Sequence, residues 1–297
     1  RMLLEADDEG AVRAAVHEQF ARVPEAQLTA DIAAMRQLLA DLSQPGDNYP
    51  ITDLADPDAT GFSRALAAPL RGDLVQGDPA TADRILRKLW DAAIPHVTIL
   101  VRPDMDAADL PLLVETAEDL GMICGIRAVA SWLSPEVIEQ AAMAGLDHLD
   151  LLFVSPDAGE HDALTGLGDL ARVFAAFEQC RALELCPVAE VPLMDANADI
   201  IDEVMEGLRE IGISNAVFFA LACADDDAAA DAAGALPARA LPQVATVMVE
   251  ASEEERVRYL WAPPVWFDAD RSLAEQVQAG PRTAGDVAIR VEADGSV

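Results

Sequence analysis

Residues 96–154 read HVTILVRPDMDAADLPLLVETAEDLGMICGIRAVASWLSPEVIEQAAMAGLDHLDLLFV. Short apolar runs alternate here with longer stretches that repeat at helical spacing, at 96–101, 107–120, 122–128, 134–144 and 148–154. Runs of the first kind are typical of buried strands, and stretches of the second kind are typical of amphipathic helices. Strands that alternate with helices pair in parallel through right-handed crossovers, so this stretch predicts an α/β fold.

Helix boundaries in this stretch carry their own signals. Ser134-Pro135-Glu136 supplies an N-cap followed by proline at the first helical position. Gly121, Gly145 and Gly212 each follow a helical stretch, where a left-handed C-cap is needed. These signals favour helices that end just before the next strand begins.

The same alternation continues on both sides of this stretch. It predicts further strands at 73–76, 185–191 and 216–221, and further helices near 80–93, 167–183 and 197–210. Six successive βα units predict a partial TIM-type barrel that is left partly open.

The two ends of the chain differ from this middle part. Residues 8–43 predict two helices, which a Pro- and Gly-containing connector joins to the barrel, and the acidic segment 224–240 predicts a mobile loop. Val287 to Val291 alternate and precede Asp294-Gly295, which predicts a hairpin. We therefore expect N-terminal helices with a connector (1–70), a barrel (71–262) and a C-terminal hairpin region (263–297), with further sequence on both sides.

Composition limits the partners of this protein. The 297 residues include 20 basic and 53 acidic ones, which gives a net charge of −33. Such a charge repels phosphate and argues against nucleic acid and anionic membranes. No apolar run reaches the roughly 18 residues of a membrane helix, so we expect no membrane insertion. The four cysteines lie at no metal-ligand or disulfide-framework spacing, which favours free thiols and a cytoplasmic location.

Several short motifs follow one another between Leu66 and Val297. They are Ile94-Pro95-His96-Val97-Thr98, Ala108-Asp109-Leu110-Pro111, Leu120-Gly121-Met122, Ala144-Gly145-Leu146-Asp147-His148, Ser155-x-Asp157, His161-Asp162-Ala163-Leu164-Thr165-Gly166, Leu260-Trp261-Ala262-Pro263-Pro264 and Glu292-Ala293-Asp294-Gly295-Ser296-Val297. In this order they resemble radical S-adenosylmethionine (radical SAM) enzymes that carry a C-terminal SPASM-type auxiliary-cluster domain. The resemblance covers about three quarters of the chain.

The resemblance implies a [4Fe–4S] cluster on a C-x-x-x-C-x-x-C loop after the first strand, because cluster iron needs thiolate ligands. Here only Gly77-Asp78-Pro79-Ala80 follows that strand, and no cysteine precedes Cys124. Val101-Arg102-Pro103-Asp104 and Ala128-Val129-Ala130 stand where Gly-Gly-Glu-Pro and Thr-Asn-Gly are expected, and 224–297 hold no cysteine. We therefore expect a SPASM-like pseudoenzyme without iron–sulfur cluster, other cofactor or metal.

Arginines Arg102 and Arg127 each end an apolar strand of this acidic protein. One interpretation is a pocket for a small anion or carboxylate, which arginine grips with two parallel hydrogen bonds. The other is a salt bridge to Glu190 or Asp104 that fills a vacated cavity, since a buried charge demands a partner.

A polar segment follows the fourth predicted strand. Ser155, Asp157 and His161 could retain contacts to a substrate or ligand. The alternative is local: Ser155 and Asp157 form turn hydrogen bonds, and Asp162 caps the following helix. A hydrolytic triad is disfavoured because the chain has no nucleophile elbow. The carboxylates of Asp104, Asp106, Asp157 and Asp195 could meet at the rim and bind Mg²⁺ or Mn²⁺, although chance meetings are expected among 53 acids.

Three functions remain open. The first is a catalytically inactive subunit that binds a protein partner or a larger assembly. The second is a repurposed barrel that binds a small anionic ligand at Arg102 and Arg127. The third is a peptide-recognition module related to peptide-modifying enzymes. Loss of the cofactor motifs beside intact helix and strand signals favours the first.

Overall fold

The computed structural model describes residues 68–255, 258–279 and 288–297, together with Gly10, Arg13, 24–30 and 32–34. The chain divides into two compact units, Arg1–Arg64 and Ala65–Val297. No helix among the described residues is long and apolar enough to cross a membrane.

The first unit is helical where it is described. Residues 25–30 and 32–34 are helical and bury Leu28 and Ile32, in agreement with the second predicted helix. Arg13 forms an ion pair with Glu25. The remainder of the predicted helices and the connector up to residue 67 lie outside the described residues.

The described residues of the second unit form ten strands. They are β1 (Arg71–Val75), β2 (His96–Leu100), β3 (Ile123–Ala128), β4 (His148–Leu152), β5 (Cys186–Leu193), β6 (Asn215–Cys223), β7 (Leu236–Pro237), β8 (Arg258–Trp261), β9 (Val265–Trp266) and β10 (Ala288–Val291). The six predicted strands correspond to β1–β6.

Nine α-helices of this unit lie within the described residues. They are α1 (Pro79–Asp91), α2 (Leu110–Leu120), α3 (Pro135–Met143), α4 (Ala158–Thr165), α5 (Leu170–Ala182), α6 (Ile201–Glu210), α7 (Ala228–Ala232), α8 (Leu241–Glu255) and α9 (Leu273–Ala279). The predicted caps are confirmed: the Ser134 side chain accepts a hydrogen bond from the Val137 N–H, and Gly121 ends α2 with φ of 85°.

All strand pairs are parallel. The order along the sheet is β10-β1-β2-β3-β4-β5-β6, and β6 also pairs with β7, β8 and β9. Within the described residues, β8 pairs with β6 alone and β10 with β1 alone, so the sheet is not closed between them. The predicted partial TIM-type barrel is confirmed.

Alternation along the strands separates two sides of the sheet. The outward side, with Leu74, Ile99 and Ile126, packs against the helices in one large apolar core. The inward side carries most of the buried charged groups of the strands, among them Arg127, Asp150 and Glu190. The helices thus stabilise the fold from outside and leave the polar side chains inside the barrel.

The predicted C-terminal hairpin stays a prediction, because its second strand would follow Val297. Residues Ala288–Val291 do form a strand, but it pairs in parallel with β1, with Ala288 opposite Arg71 and Val291 opposite Leu74. Asp294-Gly295 forms a turn in which the Gly295 N–H donates to the Glu292 carbonyl. Alternation indicates that a segment is extended, but it does not name the strand that it pairs with.

The prediction of a mobile loop at 224–240 is incorrect in part, because this segment contains regular secondary structure. It contains the short helix α7, which begins because the Asp227 side chain accepts a hydrogen bond from the Ala230 N–H. It also contains β7, which pairs with the end of β6. The acidic residues therefore serve as a cap as well as a solvated surface.

Candidate functional site

Polar side chains on the inward side of five neighbouring strands form one charged network inside the barrel. β1 and β2 supply Arg71, Asp73 and His96, and β3 to β5 supply Arg127, His148, Asp150 and Glu190. On each strand that contributes two of these residues, the two are separated by one position, because side chains two apart face the same side of a sheet. We call these seven residues the inner network.

Arg127 is the centre of the inner network. Its side chain is 2% exposed, and its Nη2 lies 2.8 Å from Glu190 Oε1 and 3.6 Å from Asp150 Oδ2. Its Nε and Nη1 have no hydrogen-bond partner among the described residues. A buried guanidinium with free N–H groups demands an acceptor from water or a ligand.

Burial and charge shift the pKa values of this pair. Burial opposes the charge of Arg127, but Glu190, Asp73 and Asp150 outweigh it and raise the arginine pKa. Burial also raises the pKa of Glu190 to about 7, against the opposing effect of Arg127. Arg127 therefore stays charged. Because Glu190 shares the positive charge of Arg127 with Asp73 and Asp150, it holds a proton more readily than an exposed glutamate does.

Two histidines continue the inner network. His148 Nδ1 lies 2.6 Å from Asp150 Oδ1, and His148 Nε2 lies 2.7 Å from His96 Nε2. Burial lowers the pKa of His96 to about 4, helped by the charges of His148 and Arg71. Burial opposes the charge of His148 as well, but Asp150 outweighs it and raises the His148 pKa. A proton added to this pair of rings therefore resides on His148 rather than on His96.

The two rings meet over a glycine of the strand between them. A Cβ on Gly125 would lie 1.9 Å from His148 Cε1 and 2.1 Å from its Nε2. Gly125 therefore provides the space in which the His148 ring reaches His96, and a side chain there would displace it.

A cavity of about 270 Å³ reaches this network. It lies beside the edge strands β8 and β10, and Arg71, His96, Arg127, Val217, Leu260 and Trp261 contribute to its lining. Arg71 and His96 are the first residues of their strands. The cavity thus extends from the amino ends of β1 and β2 to the carboxyl end of β8.

The carboxyl ends of the strands present a different surface. Leu273, Ala274 and Val277 of α9 are buried in an apolar cluster with Val129, Leu152, Val154, Phe219 and Leu221. The Gln278 side chain donates a hydrogen bond to the Arg127 carbonyl at 3.2 Å. Enzymes with this architecture place their sites at this rim, and here α9 fills it.

The connection from β1 to α1 is three residues long, 76–78. The Gln76 side chain bonds to the Asp106 carbonyl and to the Arg102 N–H, which ties the loop to the one after β2. A Cβ on Gly77 would lie 2.9 Å from the Ala293 carbonyl oxygen, so the C-terminal segment packs directly on the loop.

The described residues do not fit a [4Fe–4S] cluster at this end of the barrel. Cys124 faces the helices from β3, Cys180 is buried in α5, and Cys186 begins β5. Cys223 lies in a small apolar cluster with Ala230 and Ala235. None of the four thiols lies in the β1–α1 loop where cluster iron would need ligands.

Arg102 and Arg127 form ion pairs with different partners in the structure. The half-exposed Arg102 forms a bidentate ion pair with Asp104, whereas Arg127 turns inward to Glu190. These are the two ion pairs that the salt-bridge interpretation names. An anion bound jointly by the two arginines stays a prediction.

The polar segment after β4 forms local hydrogen bonds. Ser155 Oγ bonds to Glu160 and accepts from the Asp157 N–H. Asp157, rather than the predicted Asp162, caps the following helix by accepting from the Glu160 N–H. The sequence did not predict α4, so the cap was assigned to a residue that lies inside it. A ligand role for Ser155, Asp157 and His161 stays a prediction.

His161 is fully buried, and its ring contacts the segment after β4 and the segment before α5. Its Nδ1 accepts from the Val154 N–H at 3.3 Å, and its Nε2 lies 3.3 Å from Asp169. His161, Asp162 and Asp169 are the single trio among the described residues whose ligand atoms lie close enough for a metal ion, within 4.8 Å of one another. Because Nδ1 accepts, Nε2 carries the proton, which explains the contact with Asp169 without a metal. The four carboxylates of the predicted metal site do not form such a group.

Sequence reasoning missed Arg71, Asp73, His96, His148 and Asp150 as site residues. The available signal was polar residues two apart within otherwise apolar strands, as in Arg71-x-Asp73 and His148-x-Asp150. That signal shows which residues lie on the same side of one strand. The folded barrel then brings these residues of different strands into contact.

Comparison with known proteins finds solved structures with a similar fold, but no similar sequence. No family model and no curated protein matches the sequence. The structure is similar to Streptococcus suis SuiB bound to precursor peptide SuiA, with 11% identity, TM-score 0.55, and coverage of 96% of this chain and 70% of that chain. SuiB bound to S-adenosylmethionine gives 14% identity, TM-score 0.52 and coverage of 78% of this chain. The chain spans 58% of the length of that protein.

Coproporphyrinogen III oxidase (HemN) from Escherichia coli, described as a radical SAM enzyme, matches with 10% identity, TM-score 0.49, and coverage of 75% of this chain and 63% of that chain. At such identities the likeness concerns the fold. This chain has a radical SAM-like fold, an open parallel α/β barrel.

Proposed function

We propose that this protein is a radical SAM-like pseudoenzyme that carries no iron–sulfur cluster and works as a binding subunit. It would associate with a protein partner or a larger assembly in the cytoplasm. The degenerate SPASM-like C-terminal segment belongs to the same proposal, since it contributes a helix to the barrel rim and a strand to the sheet.

The observation that carries the proposal is the three-residue β1–α1 connection. Gln76 holds it to the next loop, and Ala293 packs against Gly77. A cluster-binding loop needs room and three thiolates there. The apolar seal of α9 over the rim supports the same conclusion, because a cofactor bound at the carboxyl ends would have to displace it.

A binding role is supported by the open sheet. Among the described residues β8 pairs on one side alone, with β6, and its Leu260 is 54% exposed. An exposed edge strand is a template for an extended segment of another chain. SuiB, a structural neighbour, was captured with a precursor peptide, and by analogy a peptide or protein segment is the partner class that we propose.

Anaerobic reconstitution with iron and sulfide tests the first half of the proposal. Iron content and conversion of S-adenosylmethionine to 5′-deoxyadenosine would be measured, with HemN, described as a radical SAM enzyme, treated in parallel as the positive control. We expect neither stoichiometric iron nor cleavage by this chain, because no thiolate lies at the β1–α1 loop. Four irons per chain together with cleavage would overturn the proposal.

Affinity purification from the native host, read by native mass spectrometry, tests the second half. We expect a stoichiometric complex that survives purification. A matched variant, Leu260→Arg, places a charge on the edge strand, with Leu112→Arg on α2 as a control of similar exposure. Recovery of the chain solely as a monomer would contradict the binding role.

A further inference from the structure

The 270 Å³ cavity beside β8 and β10 borders the rim cluster at Val217 and Ala262 and extends to the amino ends of β1, β2 and β10. Arg71 and His96 begin their strands, and Ala288 at its edge begins β10. The rim at the opposite ends of the strands is covered by α9. A ligand in this cavity would therefore reach the inner network without passing through the rim.

The cavity presents hydrogen-bond donors. Two of its lining side chains are guanidinium groups, and the buried Nε and Nη1 of Arg127 have no hydrogen-bond partner among the described residues. When His148 is protonated and donates to His96 Nε2, the neutral His96 ring carries its proton on Nδ1 and adds a third donor. The three carboxylates of the inner network, Asp73, Asp150 and Glu190, lie outside the lining. Donors without acceptors select an oxyanion.

The rest of the lining is apolar. Leu70, Val217, Leu260, Trp261 and Pro263 surround the cavity, and Trp261 offers an aromatic surface. A volume of 270 Å³ equals about nine water-sized units at roughly 30 Å³ each. An apolar wall of this size suits a ring or branched chain and leaves a large polar metabolite poorly accommodated.

We propose that this cavity is a binding site for a small carboxylate with an aromatic or branched apolar body. The carboxylate lies against Arg127 and His96, with Arg71 at the entrance, and the apolar body contacts Trp261 and Val217. The site does not depend on the absence of an iron–sulfur cluster, so its test and the reconstitution test can fail separately.

Titration calorimetry with sodium benzoate, supported by Trp fluorescence, tests the site on the full chain. We expect benzoate to bind saturably with one-to-one stoichiometry. Benzamide is expected to bind at least about tenfold more weakly than benzoate, because it lacks the charge that strengthens hydrogen bonds to arginine. Inorganic phosphate, which has no apolar body, is expected to bind at least about tenfold more weakly than benzoate. Benzoate that does not saturate, or benzamide or phosphate that binds equally well, would overturn the proposal.

Two variants locate the site. Arg127→Met removes the central donor but leaves Glu190 and Asp150 unpaired, so it can fail to fold. Leu260→Trp instead fills the cavity from a half-exposed edge position and keeps every charge. We expect it to weaken benzoate binding about tenfold or more, whereas Leu112→Trp on α2 changes the affinity by less than about twofold. Equal affinity of Leu260→Trp and the unmodified protein would place benzoate elsewhere and refute the site.

Discussion

At the scale of single residues, the inner network gathers charges that an apolar barrel would exclude. Arg127, Asp150 and Glu190 are each nearly inaccessible to solvent. Removing charged groups from water costs several kcal/mol each, and their mutual attraction offsets this only with good geometry. Arg71, Arg127 and His148 face three carboxylates, and the positive and negative charges balance when His148 is protonated and Glu190 is ionised.

Glu190 makes stability depend on pH. Burial raises its pKa to about 7 from an ordinary value of 4.5, so the folded protein holds this proton more tightly than the unfolded chain does. Its contribution is fully present below about pH 4.5 and is lost as the pH rises through about 7. We expect the free energy of unfolding of the unmodified protein to fall, relative to Glu190→Gln, by at least about 1 kcal/mol between pH 5 and pH 8.

Urea unfolding of both proteins at several pH values measures this difference. Glu139→Gln, on the exposed surface of α3, is the control and should shift the unfolding free energy by less than about 0.5 kcal/mol at every pH. An advantage of the unmodified protein that grows with pH would contradict the prediction, because it would mean that Arg127 keeps Glu190 ionised.

At the scale of elements, α9 determines what the barrel rim can do. Leu273, Ala274 and Val277 recur at helical spacing and face the apolar ends of β3, β4 and β6. The opposite end of the barrel interior keeps the charges, and the cavity extends to it. The one interior is thereby divided into an apolar end under α9 and a polar end beside β8 and β10.

Val277→Ala tests the role of α9. Val277 is 1% exposed, so its truncation leaves a cavity in the rim cluster, and we expect a loss of roughly 2 kcal/mol in unfolding free energy. Val249→Ala on α8, where valine is 48% exposed, is the matched control and should change stability by less than about 0.5 kcal/mol. Urea denaturation measures both. Equal effects of the two variants would show that α9 does not seal the rim.

At the scale of the whole molecule, the C-terminal segment completes the sheet. β10 covers the outer edge of β1, and Ala65–Val297 form one compact unit. The sequence predicts a boundary between 262 and 263, whereas the segment beyond it contributes β9, α9 and β10 to the same sheet and rim. A strand inserted at a sheet edge couples its stability to that of the sheet.

Deletion of residues 280–297 tests this coupling. It removes β10 with its buried Ala288 and Val291, and we expect a loss of at least about 3 kcal/mol in the stability of the whole barrel. Deletion of the exposed Val297 alone is the control and should be neutral. Calorimetry should show one weakened transition for the deletion. An unchanged main transition would mean that the segment beyond 262 folds apart from the barrel.

Local sequence patterns predict several ion-pair partners in the site, but they do not predict how the strands bring the site residues together. The Arg127–Glu190 and Arg102–Asp104 pairs are among the alternatives that the sequence offers, since each arginine follows an apolar strand and needs an acidic partner. The contact between His96 and His148 spans 52 positions and depends on Gly125 of the intervening strand. A pattern of period two gives the side of each strand but not the register that aligns three of them.

The sequence by itself determined the alternation of strands and helices, the caps at Ser134 and Gly121, the acidic surface and the shortened β1–α1 connection. These are local properties, because spacing, capping and loop length act within a few residues. The tertiary structure alone decided that β10 pairs with β1, that α9 seals the rim and that the inner network meets a cavity. Those contacts join segments far apart in the chain, and their energies depend on which surfaces the folded barrel brings together.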